Sequence, residues 1–295
     1  MAKSRAVVRP VTGSVVLVTG AARGIGAALS RRLVGQGAQV LMLDVDVEPL
    51  EALASDLGEA ALAVRADVTD LASLEAAVAQ GVERFGGIDT VVANAGIASY
   101  GSVLSVEPAA FRRVVDINVT GVFHTVRAAL PQVIERQGYV LVVSSLAAFT
   151  AAPGMAAYNA SKAGAENFAN ALRLEVTHLG VAVGSAHMCW VDTPMVREAR
   201  ADLRSFDTMI DKLPPPLNRT TSVESCVDAF VTGIEKRNRR VYVPGWVGAI
   251  AKGRALMNSP LGERETLRSA AAMVQVMDDE VAALGRSTSA RYSVD

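Results

Sequence analysis

Of the five tyrosines in the chain, Tyr158 stands out because a lysine, Lys162, follows it four residues later. Four residues is about one helical turn, so on a helix the two side chains share a face. A free phenol titrates near ~10, and bringing it into the neutral range takes ~3 pH units, or about 4 kcal/mol. One ammonium about 4 Å away, at an effective dielectric of about 20, supplies roughly that much. A phenol lowered in this way takes a proton from an alcohol or gives one to a carbonyl near neutral pH. Taken alone, such a pair is more often a solvated helix face than a site. Two further features count against that reading. Ser144-Ser145 closes an apolar run thirteen residues upstream, where a hydroxyl can hydrogen-bond a substrate oxygen. A glycine-rich stretch near the N-terminus offers a cofactor site.

That stretch is Thr19-Gly20-Ala21-Ala22-Arg23-Gly24-Ile25-Gly26, placed between an apolar run and a helical pattern. Glycines at such a strand-to-helix turn allow a sharp bend and let backbone approach a pyrophosphate. The helix N-terminus beyond it presents unpaired N–H groups and a positive dipole end to the phosphates. The competing reading is a tight turn with no ligand. Asp44 lies at the end of the next apolar run, about 20 residues on, where a carboxylate accepts hydrogen bonds from ribose hydroxyls. It repels a 2′-phosphate, so NAD(H) is expected in preference to NADP(H). Arg23 pulls the other way, because a cation beside the loop neutralises such a phosphate.

The elements that must position these residues follow from the apolar patterning. Runs at 15–19, 39–45, 61–67, 90–93, 139–144, 181–186 and 241–243 read as strands, and patterns at 24–36, 48–57, 71–85, 109–136 and 157–179 as helices. The strands are apolar throughout rather than alternating, which marks burial on both faces of a parallel sheet. Right-handed strand–helix–strand units then give one α/β, doubly wound sheet with helices on both faces. Residues 192–220, with Pro214, Pro215 and Pro216, break the alternation and read as a lid or binding loop. Thr221-x-x-Glu224 reads as the capping box of the next helix.

Beyond the sheet, 245–295 reads as a helical C-terminal extension. Trp246, Ile250 and Leu256/Met257 lie near helical spacing around Lys252 and Arg254. Core or interface packing explains them; a lid over the substrate mouth or a weak membrane-surface helix are alternatives. Leu267, Val274 and Val281, with Ala270, Met277 and Leu284, repeat every seven residues, as in a helix docked on its own subunit or a neighbour. Residues 286–295 read as disordered, and 1–13 as an N-terminal tail.

The set Thr19–Gly26, Asn94-Ala95-Gly96, Asn118, Ser145 and Tyr158-x-x-x-Lys162 resembles the classical short-chain dehydrogenases/reductases, over roughly 14–244. The resemblance implies a seven-stranded Rossmann sheet, oxidoreduction of CH–OH groups with NAD(P)+, and a homotetramer or homodimer. It implies Tyr158 as general acid/base, Lys162 on the nicotinamide ribose and lowering the phenol pKa, and Ser145 on the substrate oxygen. Asn118 would position a water in a proton relay; the plainer reading is a helix-interior amide with a local bond. Asp67 and Val68 would contact adenine, Asn94 would lie over the cofactor, and Thr193 would contact the carboxamide. Gly20, Arg23, Gly24, Ile25, Gly26, Asp44, Ala95, Gly96 and Val191 complete the cofactor-binding set. Ser144 competes for the serine role, but the thirteen-residue offset and strand alternation favour Ser145.

One departure from the family pattern bears on the substrate. Where Pro-Gly is usual after the sixth strand, the chain has Met188-Cys189-Trp190. Either the pocket floor is altered, with Trp190 facing substrate beside Ser145 and Tyr158, or the backbone path is kept and the side chains have drifted. The expected pocket walls, 97–100, 146–155 and 195–217, are mostly apolar, which suggests a hydrophobic secondary alcohol or ketone as small-molecule substrate.

Composition limits the alternatives. Charged residues make up 20% of the 295, with net charge −1, so nothing favours nucleic acid. Two separated cysteines fit a reducing cytoplasm, and the scattered histidines predict no metal. Lys3, Arg5 and Arg9 imitate the start of a signal peptide, but the apolar stretch behind them is short and its glycines are better explained by the turn. No run approaches the ~18 apolar residues of a membrane span, so no stable membrane insertion is expected. Competing functions are an NADPH-dependent carbonyl reductase, a non-catalytic dinucleotide sensor or scaffold, and an epimerase or dehydratase, whose substrate domain is usually larger than this extension.

Overall fold

The computed structural model describes residues 8–292; the outermost parts of both terminal tails, 1–7 and 293–295, lie outside the described residues. Seven parallel strands form one sheet in the order β3-β2-β1-β4-β5-β6-β7. They are β1 (Val15–Thr19), β2 (Gln39–Asp44), β3 (Ala61–Arg65), β4 (Thr90–Ala93), β5 (Tyr139–Val143), β6 (Ala182–Met188) and β7 (Arg240–Val243). Their side chains alternate between two cores. Val16, Val18, Val40 and Met42 face one, and Val15, Leu17, Leu41 and Leu43 the other. Helices α1 (Gly24–Gly35), α2 (Val47–Leu57) and α9 (Val223–Glu235) cover the first core. Helices α3 (Leu71–Phe85), α5 (Gly121–Glu135) and α6 (Ala156–Val176) cover the second. The strand order reverses between β1 and β4, which opens a crevice at their carboxyl ends.

Several elements differ from expectation for identifiable reasons. The helix expected over 109–136 is α4 (Pro108–Val115), a π-helical turn Asp116–Thr120, and α5. A single π turn inside a helix commonly accompanies a functional position, and here it carries the buried Asn118. The expected loop 192–220 contains two helices, α7 (Pro194–Asp202) and α8 (Arg204–Lys212). Pro194 starts α7 at a position that tolerates proline, while α8 is fixed by burying Phe206, Met209 and Ile210. The cap of α9 is Ser222 rather than Thr221: Ser222 Oγ accepts the Ser225 N–H at 3.2 Å. Thr221 is instead held by backbone, donating to the Trp190 carbonyl at 2.8 Å.

The extension consists of α10 (Val247–Met257) and α11 (Pro260–Leu284). Trp246, Val247 and Ile250 pack on Leu146 and Phe149, which is the core-packing reading. The heptad seam is used only in its second half. Met277 and Val281 are buried against Tyr100, Leu203 and Phe206 of the same chain, whereas Leu267 is exposed. The segment after α11 is held in place through Tyr292, where disorder was expected; the rest of that expectation, 293–295, lies outside the described residues. Arg286 pairs with Asp202, Thr288 bridges Ser99, and Ser287 and Thr288 are buried. No described helix is long and apolar enough to cross a membrane.

Candidate active site and dinucleotide cleft

The crevice at the strand ends deepens into a cavity of about 590 Å³. At one end lie Asp44, Asp67 and Val68, and at the other Ser145, Tyr158, Lys162, Val191 and Thr193. Gly20, Arg23, Gly24, Ile25, Asn94, Ala95 and Gly96 line the stretch between them.

The glycine loop is held from below. Asn94 Nδ2 donates to the Thr19 and Gly20 carbonyls at 2.9 and 3.2 Å, and the Asn94 and Ala95 N–H groups donate to Thr19 Oγ1. Gly26 is buried under this loop, where a Cβ would collide with the Gly20 carbonyl. Gly24, at φ +53°, turns the chain into α1. No side chain caps α1 and its first turn holds no acidic residue, so its leading N–H groups remain for an anion in the cavity.

Asp44 is fixed by two backbone donors, Ala22 N–H at 2.9 Å and Asp46 N–H at 3.1 Å. Arg23 turns away from it to pair with Asp46 at 3.2 Å. The cation that argued for a 2′-phosphate is thus directed at Asp46, in a partly exposed pair, and not at Asp44. Asp67 Oδ1 accepts from Thr69 N and Oγ1, which holds the β3 end open beside Val68. These residues fit a dinucleotide: uncapped N–H groups at the helix terminus, a fixed carboxylate at one end, and a phenol beside a lysine at the other.

At the far end, Tyr158 and Lys162 share one face of α6. Ser145 Oγ accepts from Ala147 N–H at 3.2 Å and donates to the Met188 carbonyl at 3.5 Å, and it lines the same cavity as the phenol. Ser144, by contrast, is 1% exposed and donates to the Lys162 carbonyl at 2.8 Å, so its hydroxyl is committed to backbone. This separates the two serines as strand alternation requires.

The electrostatics run against one expectation. Burial raises the Tyr158 pKa above the ordinary phenol value, and the Ser145 hydrogen bond lowers it only in part. Lys162 Nζ sits 5.6 Å from the ring centroid and donates to the Val143 carbonyl at 3.0 Å. Desolvation, not this ammonium, sets the direction of the phenol's shift. Burial also pushes Lys162 itself down, to about 8.

Asn118 has all its amide partners within the protein. Oδ1 accepts from Ile97 N–H, and Nδ2 donates to the Ile97 carbonyl and Ser161 Oγ, each at 2.9 Å. These are not the local bond of the plainer reading: they reach 21 and 43 residues along the chain and tie the loop after β4 to α6. Trp190 does not line the cavity: it packs edge-on against Phe206 and donates to the Leu217 carbonyl at 2.9 Å. Cys189 does line it, with its thiol pKa raised by burial, and its N–H donates to Val243 O at 2.9 Å. Glu198 lines the cavity from within the expected wall 195–217, whereas Arg291 and Tyr292, which also line it, were not expected there; no local pattern marks them.

Residues 14–204 match the family model for short chain dehydrogenase, and the chain belongs to that family: an oxidoreductase acting on CH–OH groups with NAD(P)+ as acceptor. Among its relatives, (-)-trans-carveol dehydrogenase of Rhodococcus erythropolis is 34% identical over 74% of this chain and 90% of its own. The 3-alpha-(or 20-beta)-hydroxysteroid dehydrogenase of Mycobacterium tuberculosis is 33% identical, over 76% of this chain and 86% of its own. A crystal structure of a short chain dehydrogenase from Mycobacterium paratuberculosis bound to NAD superposes with a TM-score of 0.70 at 28% identity, covering 79% of this chain and 97% of that one.

Proposed function

We propose that the chain is an NAD(H)-dependent dehydrogenase that interconverts a hydrophobic secondary alcohol and its ketone, with Tyr158 as general acid/base. The observation that carries this reading is the convergence of the Tyr158 phenol and the Ser145 hydroxyl on one wall of the cavity, with the Lys162 ammonium behind them. Bound NAD+ supplies the hydride acceptor. Ser145 holds the substrate oxygen by a hydrogen bond. In oxidation Tyr158, as phenolate, takes the hydroxyl proton; in reduction it returns a proton to the carbonyl oxygen. Lys162, with a pKa of about 8, is an ammonium at neutral pH and steadies the phenolate. Asp44, fixed by two N–H donors, favours NAD(H) because a 2′-phosphate would bring like charge against it. Relatives named for a terpene alcohol and for hydroxysteroids support a cyclic, apolar substrate. Location in the cytoplasm and assembly as a homodimer or homotetramer belong to the same reading.

The test is a panel of steroids, retinoids, terpene and fatty alcohols with NAD+, followed as NADH absorbance, with Tyr158→Phe as control. The variant is expected to lose roughly 10²- to 10⁴-fold in turnover while still binding NADH. Turnover that survives the substitution with cofactor still held would refute the assignment.

A further inference from the structure

The segment after α11 passes over the cofactor cleft, and its base is firmly anchored. Arg286 makes two hydrogen bonds to Asp202, both 2.8 Å, and the Tyr100 phenol donates to the same carboxylate at 2.6 Å. Tyr100 N–H donates to the Ser287 carbonyl at 2.9 Å, and Glu107 N–H to Ser287 Oγ at 3.2 Å. Beyond this anchor, the turn Ala290–Tyr292 puts two side chains into the cavity wall.

Arg291 lies 3.9 Å from Asp46, just beyond β2, and 3.5 Å from Glu198, on α7 beyond β6. One guanidinium thus spans from the Asp44 side of the cleft to the side that follows Thr193. Tyr292 packs against the cluster of Ile97, Val114 and Ala157. With both residues in place the cavity still runs from Asp44 to Tyr158. The segment is therefore a wall of the site rather than a plug in it.

We propose that Arg291 and Tyr292 form a clasp over the bound dinucleotide, and that NAD(H) enters and leaves when this clasp opens. The proposal rests on the reading above that the cavity holds a dinucleotide. Its chemistry suits that ligand: Arg291 brings a cation to a cleft that takes a pyrophosphate, and Tyr292 brings an aromatic face to the same wall, against which a ring of the ligand can pack. The Arg291 ion pairs are long, and each partner is about one-third exposed, with side-chain values of 31% and 30% for Arg291 and Asp46. Such pairs are weak and screened by salt, so the tip releases easily while the Arg286 anchor stays in place. A gate of this kind acts on residence time more than on chemistry. The clasp lies outside the region matched by the family model, which ends at residue 204.

The test is stopped-flow displacement of NADH from the full chain by excess NAD+, read by NADH fluorescence. Arg291→Ala and Tyr292→Ala are each expected to release NADH about 5- to 10-fold faster, with the nucleotide-free melting temperature unchanged in Arg291→Ala and lowered in Tyr292→Ala by the loss of its apolar packing. High salt should speed release from the wild type toward the Arg291→Ala rate and add little in that variant. Unchanged release in both variants, slower release in Arg291→Ala, or equal salt dependence with and without Arg291 would each overturn the clasp. A wild-type chain that binds no NADH counts instead against the dinucleotide reading itself.

Discussion

Lys162 offers a perturbation whose effect on stability has a definite sign and a definite pH window. Its ammonium is 4% exposed, and burial lowers its pKa from 10.5 to about 8. The folded state therefore holds this proton less tightly than the unfolded chain does. Between pH 8 and 10.5 the unfolded chain keeps the proton that the folded one has lost, so this group's contribution to stability rises with pH across that window. Below 8 the full penalty applies, and a 2.5-unit shift corresponds to about 3 kcal/mol. Replacing Lys162 by Met removes the penalty along with the hydrogen bond to the Val143 carbonyl, which costs about 2 kcal/mol for a charged donor. Without nucleotide, Lys162→Met is thus expected to be more stable than the wild type by about 1 kcal/mol at pH 7. By pH 9.5 the difference should shift by about 2 kcal/mol against the variant, so that the wild type becomes the more stable. Urea unfolding of both proteins at the two pH values measures this directly, because all other titrations cancel in the difference. Turnover in the variant should fall at least about 100-fold at either pH. A stability difference that is the same at pH 7 and 9.5 would refute the buried-cation argument.

Three further outcomes follow from the same geometry. Ser145→Ala is expected to lower turnover about 10- to 100-fold, and Ser144→Ala much less, because its hydroxyl already serves the Lys162 carbonyl; steady-state kinetics with one alcohol decides between them. Asp44→Ala should weaken NAD+ binding and narrow the preference over NADP+ by about tenfold or more, read from kcat/KM with each cofactor; unchanged discrimination would place the preference elsewhere. Cys189 lines the cavity with a thiol that burial keeps protonated, so alkylation should be slow and slower still with NAD+ present, and equal labelling with and without cofactor would remove Cys189 from the cleft.

The legible part of this molecule is the part whose constraint is local. Helix α3 lies where the sequence predicts it, at Leu71–Phe85, because Asp70 caps one end and Gly86, in the left-handed conformation, closes the other. The strands are found to within a residue or two because nearly every position in β1, β4 and β5 is buried, leaving an uninterrupted apolar run. The glycine loop, Asp44, Ser145, Tyr158 and Lys162 are brought together in one cleft, since each sits at a strand end or helix start whose place in the sheet is already set. What was not legible depends on distant partners. Ser-Thr-Ser-Ala-Arg-Tyr has the composition of a loose tail, and its order comes from Asp202 and Tyr100, 84 and 186 residues before Arg286. Helix α8 is hidden behind three prolines, and it is held by Met277 and Val281 of a helix far along the chain.

The phenol's pKa shows a different limit. Spacing along a helix fixes which charges are neighbours but not how much water remains around them. Here both members of the pair are enclosed, so burial raises the acid and lowers the base. The arrangement holds the proton on Tyr158 at neutral pH until another positive charge enters the cleft. A site tuned in this way makes proton transfer depend on what is bound beside it. On the mechanism proposed for Tyr158 and the clasp proposed for Arg291 and Tyr292, residues that set how long a dinucleotide stays would also set when the phenol is ready to act.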